Sequence, residues 1–592
     1  MPVLNRWALP ALLLGLAACD SPTTVDEQVG DATFALTALF CEVGGVNDDP
    51  FTVADALADN AADDEDASAY AYDAASATTI VFDGAAVSVT GPGATAAGSI
   101  VTVSQPGTYL FSGVLSDGQV IVDSPDDGAV QLVLAGASIA SSADSGIRVD
   151  EADLAVLILA DGTINTVVDG ATYPDGAEQN AAVWSDDDLW IGGTGSLEVT
   201  GNFEDGIAGK DGLVIRDATI AVTAPDEGIR GKDYLVVRSG TFDIAAGGDG
   251  LKSDEDEDAA LGYVLIAGGD ITVDAVGDAV SAETDLLVSG GLLVVRSGGG
   301  ASVTPGDDST KGLKAGALMV IDDGTITVDA SDDGLHSDGT LVINGGVTEI
   351  ATADDAVHAE LTLTVNGGDL TITESYEGLE AVTGDMVFNG GTIAVTATDD
   401  GINLAGDGDD PNGVQSAGDP WDMIFNAGRI TVTAGNDGID SNGSIVMTGG
   451  CLAIDGPTPG TVPEQGAIDY NGDFEIHGGL LLAAGAAGRH AQTPGAASTQ
   501  PTVAVTFSSA QAAGTLISLA GPDAGLSVAP GKTFQSLVVS APWLSTGDAL
   551  SLYRGGTVSG GADARLFDGG TLTGGTPLAT FNLSSIVTAI TP

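Results

Sequence analysis

The sequence predicts an all-β fold, a parallel β-helix with β-rich caps. Three observations carry this. A small residue followed by an aliphatic one opens a recurring unit, and five of its twelve steps are 22 residues long (206 to 228 to 250, and 312 to 334 to 356 to 378). Between openings run short apolar stretches separated by Asp-Gly and Gly-Gly, which are turn signals. Glycine is abundant, at 86 of 592 residues, and aromatics make up only 5%.

The openings are Gly146, Ala182, Gly206, Gly228, Gly250, Ala279, Gly312, Gly334, Ala356, Gly378, Gly401, Gly438 and Ala467. An aliphatic residue follows each, from Ile147, Val183 and Ile207 to Ile439 and Ile468. An apolar trio comes about seven residues later, as in Leu213-Val214-Ile215 and Leu235-Val236-Val237. A turn and an alternating strand such as Thr325-Ile326-Thr327-Val328 complete the unit. Three strands and three turns in this period describe one coil, and stacking buries the hydrophobic face that no coil buries alone. About 13 coils at ~4.8 Å each give a length of roughly 60 Å. Leucine-rich repeats share the period, but they need a helical segment and an asparagine ladder, and the sequence reading finds neither.

Around this core the sequence divides into residues 1–18 as signal peptide, 19–77 as an acidic flexible tether, 78–140 as an N-terminal cap, 141–490 as the helix, and 491–592 as a C-terminal β-rich cap and tail. The apolar run Trp7 to Leu16 is too short to span a bilayer. Its ending, Leu16-Ala17-Ala18-Cys19, suits a lipoprotein signal cleaved before a lipidated Cys19 or a plain secretory signal, and the cysteine favours the former. The mature chain is thus expected as an exported monomer, lipid-anchored to the cell envelope. Of the other cysteines, Cys41 and Cys451, a disulfide is open, but two buried thiols are the favoured reading.

With 85 acidic residues against 16 basic ones, the net charge is −69. That argues against nucleic acid and anionic membrane surfaces as partners. The few cations are not scattered. Two positions after each opening, one column reads Arg148, Trp184, Ala208, Arg230, Lys252, Ser281, Lys314, His336, His358, Glu380, Asn403, Asp440, Asp469, with Lys210 and Lys232 two positions further on. Arg148, Lys210, Arg230, Lys232, Lys252, Lys314, His336 and His358 are therefore candidate ligand-binding residues, a stripe able to hydrogen-bond uronate carboxylates. The alternative is that they neutralise the adjoining, mainly acidic column, Asp205, Glu227, Asp249, Asp278, Lys311, Asp333, Asp355 and onward.

Clustered hard oxygen donors suit calcium. The candidate ligands are Asp249, Asp254 and Asp256; Asp407 and Asp409; and Asp437, Asp440 and Asn442. A single Asp-Gly is equally a turn. Zinc is not expected, because the four histidines have no metal-ligand spacing and no cysteines nearby. Calcium bridging would also reconcile so acidic a protein with an acidic polysaccharide.

The phrases Gly206 to Ile220, "DLWIGGTGSLEVTGNFEDGI" from Asp188, "GNDGIDSNGSIVMTGG" from Gly435 and "GAIDYNGDFEIHGG" from Gly466 carry a family resemblance over roughly Tyr109 to Arg554. The chain resembles the exported carbohydrate-binding right-handed parallel β-helix proteins of cellulose- and pectin-degrading bacteria. That resemblance implies polysaccharide binding with acidic sugars favoured, bound calcium, and a pectate-lyase-like fold. No W-x-D-H or R-x-P-x-x-R phrase of pectate lyases is present. A non-catalytic binder is the leading expectation; a calcium-dependent polysaccharide lyase and a structural surface rod or adhesin are the alternatives. Trp184, Trp190, Tyr234, Tyr376 and Trp421 form no periodic column, which disfavours stacking on neutral glucans.

Overall fold

A computed structural model describes residues 32–36, 45–47, 49–406, 420–461, 465–488, 491–563 and 565–592. The chain is nearly all β and is organised as three long ladders of parallel strands. The first is a 16-stranded sheet that begins in the hairpin Ala94–Ala97/Ile100–Val103 and ends at Ile468–Tyr470. Each passage of the chain adds one strand to every ladder. Ile229–Gly231, Tyr234–Val237 and Gly240–Ala246, for example, are followed in register by Leu251–Ser253, Tyr263–Ile266 and Asp270–Ala275.

The aliphatic column behind the openings lies inside. Ile207, Ile229, Leu251, Val280, Leu313 and Leu335 have no exposed surface. The opening residue is small because the chain turns tightly there. A Cβ on Gly228 would lie 2.4 Å from the Ile244 side chain and 2.6 Å from the Gly250 carbonyl oxygen. The second glycine of each Gly-Gly turn has positive φ, 103° at Gly291, 80° at Gly346 and 85° at Gly368, a conformation that suits glycine best. Immediately before these turns the sequence-based expectation is corrected. Asn344, Asn366, Asn389 and Asn426 do form an asparagine ladder, each amide donating to the side-chain oxygen of the preceding one at 2.8–2.9 Å. Among the described residues, none of the repeats contains a helix of its own.

The apolar trios are buried on both faces, as continuous apolar strands require. Leu213 and Ile215 enter the central core, whereas Val214 points outward with Val236, Leu265, Leu287, Val320 and Val342. What covers this outward row is the segment expected as a flexible tether. Over residues 49–77 it is instead a strap laid along the second ladder. Its short helix Val53–Ala56 starts with a capping box at Thr52, and Val53 and Ala56 pack on the outward row. Arg216 clasps Glu65 through two hydrogen bonds of 2.6 Å, Arg238 pairs with Asp63, and the Tyr263 hydroxyl donates to the Ala61 carbonyl. Further back, the Ala32–Ala35 strand pairs antiparallel with Thr571–Asn582.

Both ends of the ladders are closed. Thr78–Gly84 forms an antiparallel pair with Ala86–Thr90 at the start. At the end, Leu480–Gly485 pairs antiparallel with Phe534–Ser540, and the residues beyond build a second core around Val505, Ile517, Leu526, Leu537 and Leu552. The C-terminal region therefore has a hydrophobic interior of its own in addition to covering the last strands. Cys451 is disulfide-bonded, which overturns the reading of two buried thiols; Cys19 and Cys41 lie outside the described residues. Among the described residues, no helix is long and apolar enough to cross a membrane.

Candidate functional site

The charged column becomes a physical row on the first ladder. Trp184 is the register partner of Arg148 and Ala208, Arg230 of Ala208 and Lys252, and Lys314 of Ser281 and His336. The row continues through His358, Glu380, Asn403 and Asp440 to Asp469. A 22-residue step is thus one strand spacing, ~4.8 Å.

This row is not a bare positive stripe. Arg148 pairs with Asp144 and Asp150, Arg230 with Asp205 and Asp254, and Lys252 with Glu227 and Asp249. Lys314 reaches Asp278 at 3.9 Å. Opposite charges one rung apart are the cheapest arrangement for half-buried ions, since each unpaired one would carry a desolvation cost. Lys210 and Lys232 are more exposed. Lys210 contacts Asp186 at 2.6 Å and Glu178 at 3.6 Å, and Lys232 contacts Glu255.

Beside these two lysines opens a groove of about 790 Å³. Its far wall is the insertion Thr172–Asn180, which lengthens one step of the repeat. Tyr173 stacks on Phe203 with ring centroids 4.4 Å apart, and its hydroxyl donates to Asp169 at 2.8 Å. Asn180 locks the insertion down: its amide donates to Asp205 at 2.9 Å while its oxygen accepts from Arg230 at 3.2 Å. Arg230 therefore holds the wall in place, and Trp184, only 4% exposed, forms part of the floor. Of the predicted ligand-binding residues, Lys210, Arg230 and Lys232 meet in this groove, while Arg148, Lys252, Lys314, His336 and His358 lie elsewhere along the row. Sequence reasoning missed Tyr173, Phe203, Gln179 and Asn180. The available signal was the 36-residue step from Gly146 to Ala182.

The expected metal ligands are arranged differently from their spacing. Asp249 is tied to Lys252 and Asp254 to Arg230, and Asp256 is exposed, so the first trio does not converge. Asp407 and Asp409 lie outside the described residues. Asp437 and Asp440 do converge, but with Asp400; Asn442 instead donates to the Ala405 carbonyl. Burial and the neighbouring acids push Asp437 up to about 8, and burial with Asp440 pushes Asp400 up to about 7.

Further acids gather around the two histidines of the row. His336 and His358 are stacked register partners grouped with Asp333, Asp355 and Glu380. Burial opposes a charge on His358, yet hydrogen bonds to Asp355 and Glu380 push it up to about 11. Burial, then the charges of Glu380 and Asp355, push Glu377 up to about 9. Spacing along the chain concealed this cluster, because neighbours in a ladder are 22 residues apart in sequence.

A family profile described as "Carbohydrate-binding domain-containing protein" matches residues 97–356, a stretch that contains the groove. A protein of that description from Acetivibrio thermocellus is 36% identical over 128 residues, 21% of this chain and 45% of that relative. The match thus spans less than half of the relative's length. A solved structure of a polysaccharide lyase-like protein from C. thermocellum, a gadolinium derivative, aligns at 32% identity with a TM-score of 0.35, covering 38% of this chain and 92% of that one.

Proposed function

We propose that this protein binds polysaccharide without cleaving it, on a right-handed parallel β-helix of about 13 coils. The observation that carries the reading is the groove between Lys210, Lys232 and the Thr172–Asn180 insertion, within the stretch matched by the carbohydrate-binding profile. Its volume falls in the usual range for ligand sites, about 300–1,000 Å³. The Tyr173–Phe203 pair supplies an apolar surface for the carbon face of a sugar ring. The two lysine heads supply charge-assisted hydrogen bonds, which favours acidic, polygalacturonate-like chains. Their present ion pairs are partly exposed, and exposed pairs exchange at little cost.

Calcium is proposed to assist. The Asp400, Asp437 and Asp440 carboxylates converge in a buried setting, and a hard dication would relieve the cost of ionising them together. The chain is further proposed to act as a monomer at the cell envelope, held by a lipid on Cys19, which lies outside the described residues.

Electrophoresis of the chain from Ser21 onward through gels containing polygalacturonate, with calcium and then with a chelator, tests the reading. Chelator-sensitive retardation without the ultraviolet absorbance of an unsaturated product is expected. Rising absorbance would make the protein a lyase. Absence of both retardation and product would leave a structural rod or adhesin.

A further inference from the structure

His336 and His358 stack with ring centroids 4.8 Å apart and planes 9° from parallel. Around them the sequence repeats itself. Asp333-Gly334-Leu335-His336-Ser337-Asp338 returns 22 residues later as Asp355-Ala356-Val357-His358-Ala359-Glu360. In both rungs the acid three residues before the histidine faces Nδ1, and the acid two residues after it faces Nε2. His336 Nδ1 lies 2.7 Å from Asp333 Oδ2, and its Nε2 lies 2.8 Å from Asp338 Oδ1. His358 Nδ1 lies 3.3 Å from Asp355 Oδ2 and 2.8 Å from Glu380 Oε2, with Glu360 Oε1 3.5 Å from its Nε2. Asp333 and both imidazoles hold their donor atoms within 4.8 Å of one another, and so do Asp355, His358 and Glu380.

We propose that His336, His358 and Asp333, with Asp355 and Glu380 beside them, bind a divalent transition-metal ion of the zinc class. The donor set decides the chemistry. Two imidazoles with carboxylates suit zinc and its neighbours, whereas calcium takes oxygen ligands alone. The outer acids decide the geometry. Asp338 accepts from His336 Nε2 and Glu360 lies 3.5 Å from His358 Nε2, so Nδ1 of each ring is the nitrogen turned to the inner carboxylates, and a carboxylate on the far nitrogen is the arrangement that orients metal-bound histidines. The fold supplies the proximity, since two nitrogens one rung apart need only a small closure to share an ion. Charge argues the same way. Asp333, Asp338, Asp355, Glu360 and Glu380 surround the rings; the nearby cations are Lys311, paired with Asp332 and Asp333, and Lys314, the register partner of His336, which reaches Asp278 at 3.9 Å. The site lies four to five rungs, roughly 19–24 Å, from the Arg230 rung at the proposed sugar groove and does not depend on that reading.

The test uses the untagged chain, first treated with chelator, then titrated calorimetrically with Zn²⁺ and, separately, with Co²⁺ while visible absorption is recorded. One tightly held Zn²⁺ per chain at this site is expected, indifferent to excess Ca²⁺, with the cobalt form showing the strong visible bands of a nitrogen-containing site of low coordination number. His336→Gln and His358→Gln should each weaken zinc binding at least tenfold, a lower bound taken from losses of metal-ligand support. Asp437→Asn should leave it unchanged. Circular dichroism in chelator checks that the variants fold. Full zinc affinity in the H336Q/H358Q double variant, or no zinc binding by the unaltered chain, would overturn the proposal. The cobalt spectrum needs no variant: the weak bands of an all-oxygen octahedral ion would overturn it equally.

Discussion

The first and second ladders are built on the same parallel pairing, yet their outward rows differ. Outside the first ladder stand Arg230, Lys252, Lys314 and His336, each meeting an acid. Outside the second stand Val214, Val236, Leu265 and Leu287, sealed beneath the 49–77 strap. The rung spacing is common to both, so backbone pairing does not distinguish a charged face from a covered apolar one. The outward side chain does. A row of valines must find a cover, because exposed apolar area of that length is unfavourable. A row of alternating charges can stay at the surface and remain available to a ligand.

The strongest way to break this contrast is to place a charge on the covered row. Val236→Asp should destabilise the protein by about 3 kcal/mol or more, since a carboxylate would be buried without a partner; urea denaturation measures it. A loss below about 1 kcal/mol would mean that the strap is not held by this row. A gentler attack removes the clasp. Arg216→Ala leaves the Glu65 side chain, 2% exposed, without its bidentate partner. About 1–2 kcal/mol of lost stability is expected after allowing for the partial exposure of Arg216. Faster proteolysis within residues 49–77 should accompany it, and an unchanged cleavage rate would count against the clasp.

The acidic row carries its own pH signature. Asp355 and Asp400 are raised to about 7, Asp437 to about 8 and Glu377 to about 9, all chiefly by burial. Each holds its proton more tightly folded than unfolded, so stability falls as pH rises from about 4, the ordinary carboxylate range, through those values. His358 acts in the same direction, because its raised pKa contributes stability that is complete below 6.5 and lost as pH climbs toward about 11. Calorimetry in chelator should therefore show the thermal midpoint dropping between pH 5 and pH 9, with Glu377→Gln reducing the drop. A flat profile would show that solvent or counterions already relieve these groups. The smallest expected effect on folding comes from the open end of the row. Lys232→Glu should change stability by less than about 0.5 kcal/mol, while weakening polygalacturonate retardation about tenfold, equivalent to about 1.4 kcal/mol. Equal retardation would move the ligand away from this groove.

Much of the repeat was legible because inward positions tolerate only apolar residues, and their recurrence shows through every insertion. The strap was not. Its alanines and acids read as a solvated tether, and only the middle residues of the trios, which would otherwise face water, hinted that something must lie on them. The groove was half legible: Lys210, Arg230 and Lys232 stood in recognisable columns, whereas Tyr173 and Phe203 come from an insertion and from a position with no periodic signal. The asparagine ladder was present at its turn positions, Asn344, Asn366, Asn389 and Asn426, and was overlooked because an asparagine before Gly-Gly also reads as an ordinary turn residue.

By itself the sequence determined which residues share a column, since a period of 22 with a small opening residue leaves little freedom in the register. It determined the inner core for the same reason. Only the tertiary structure decided what each outward residue meets. Arg230 became the support of a groove wall through Asn180, Glu65 became the anchor of a strap through Arg216, and two histidines a full repeat apart became stacked neighbours. The physical reason is that hydrophobic burial is set by each residue's own periodic place, whereas charges and hydrogen bonds depend on partners that the chain brings together only after it has coiled.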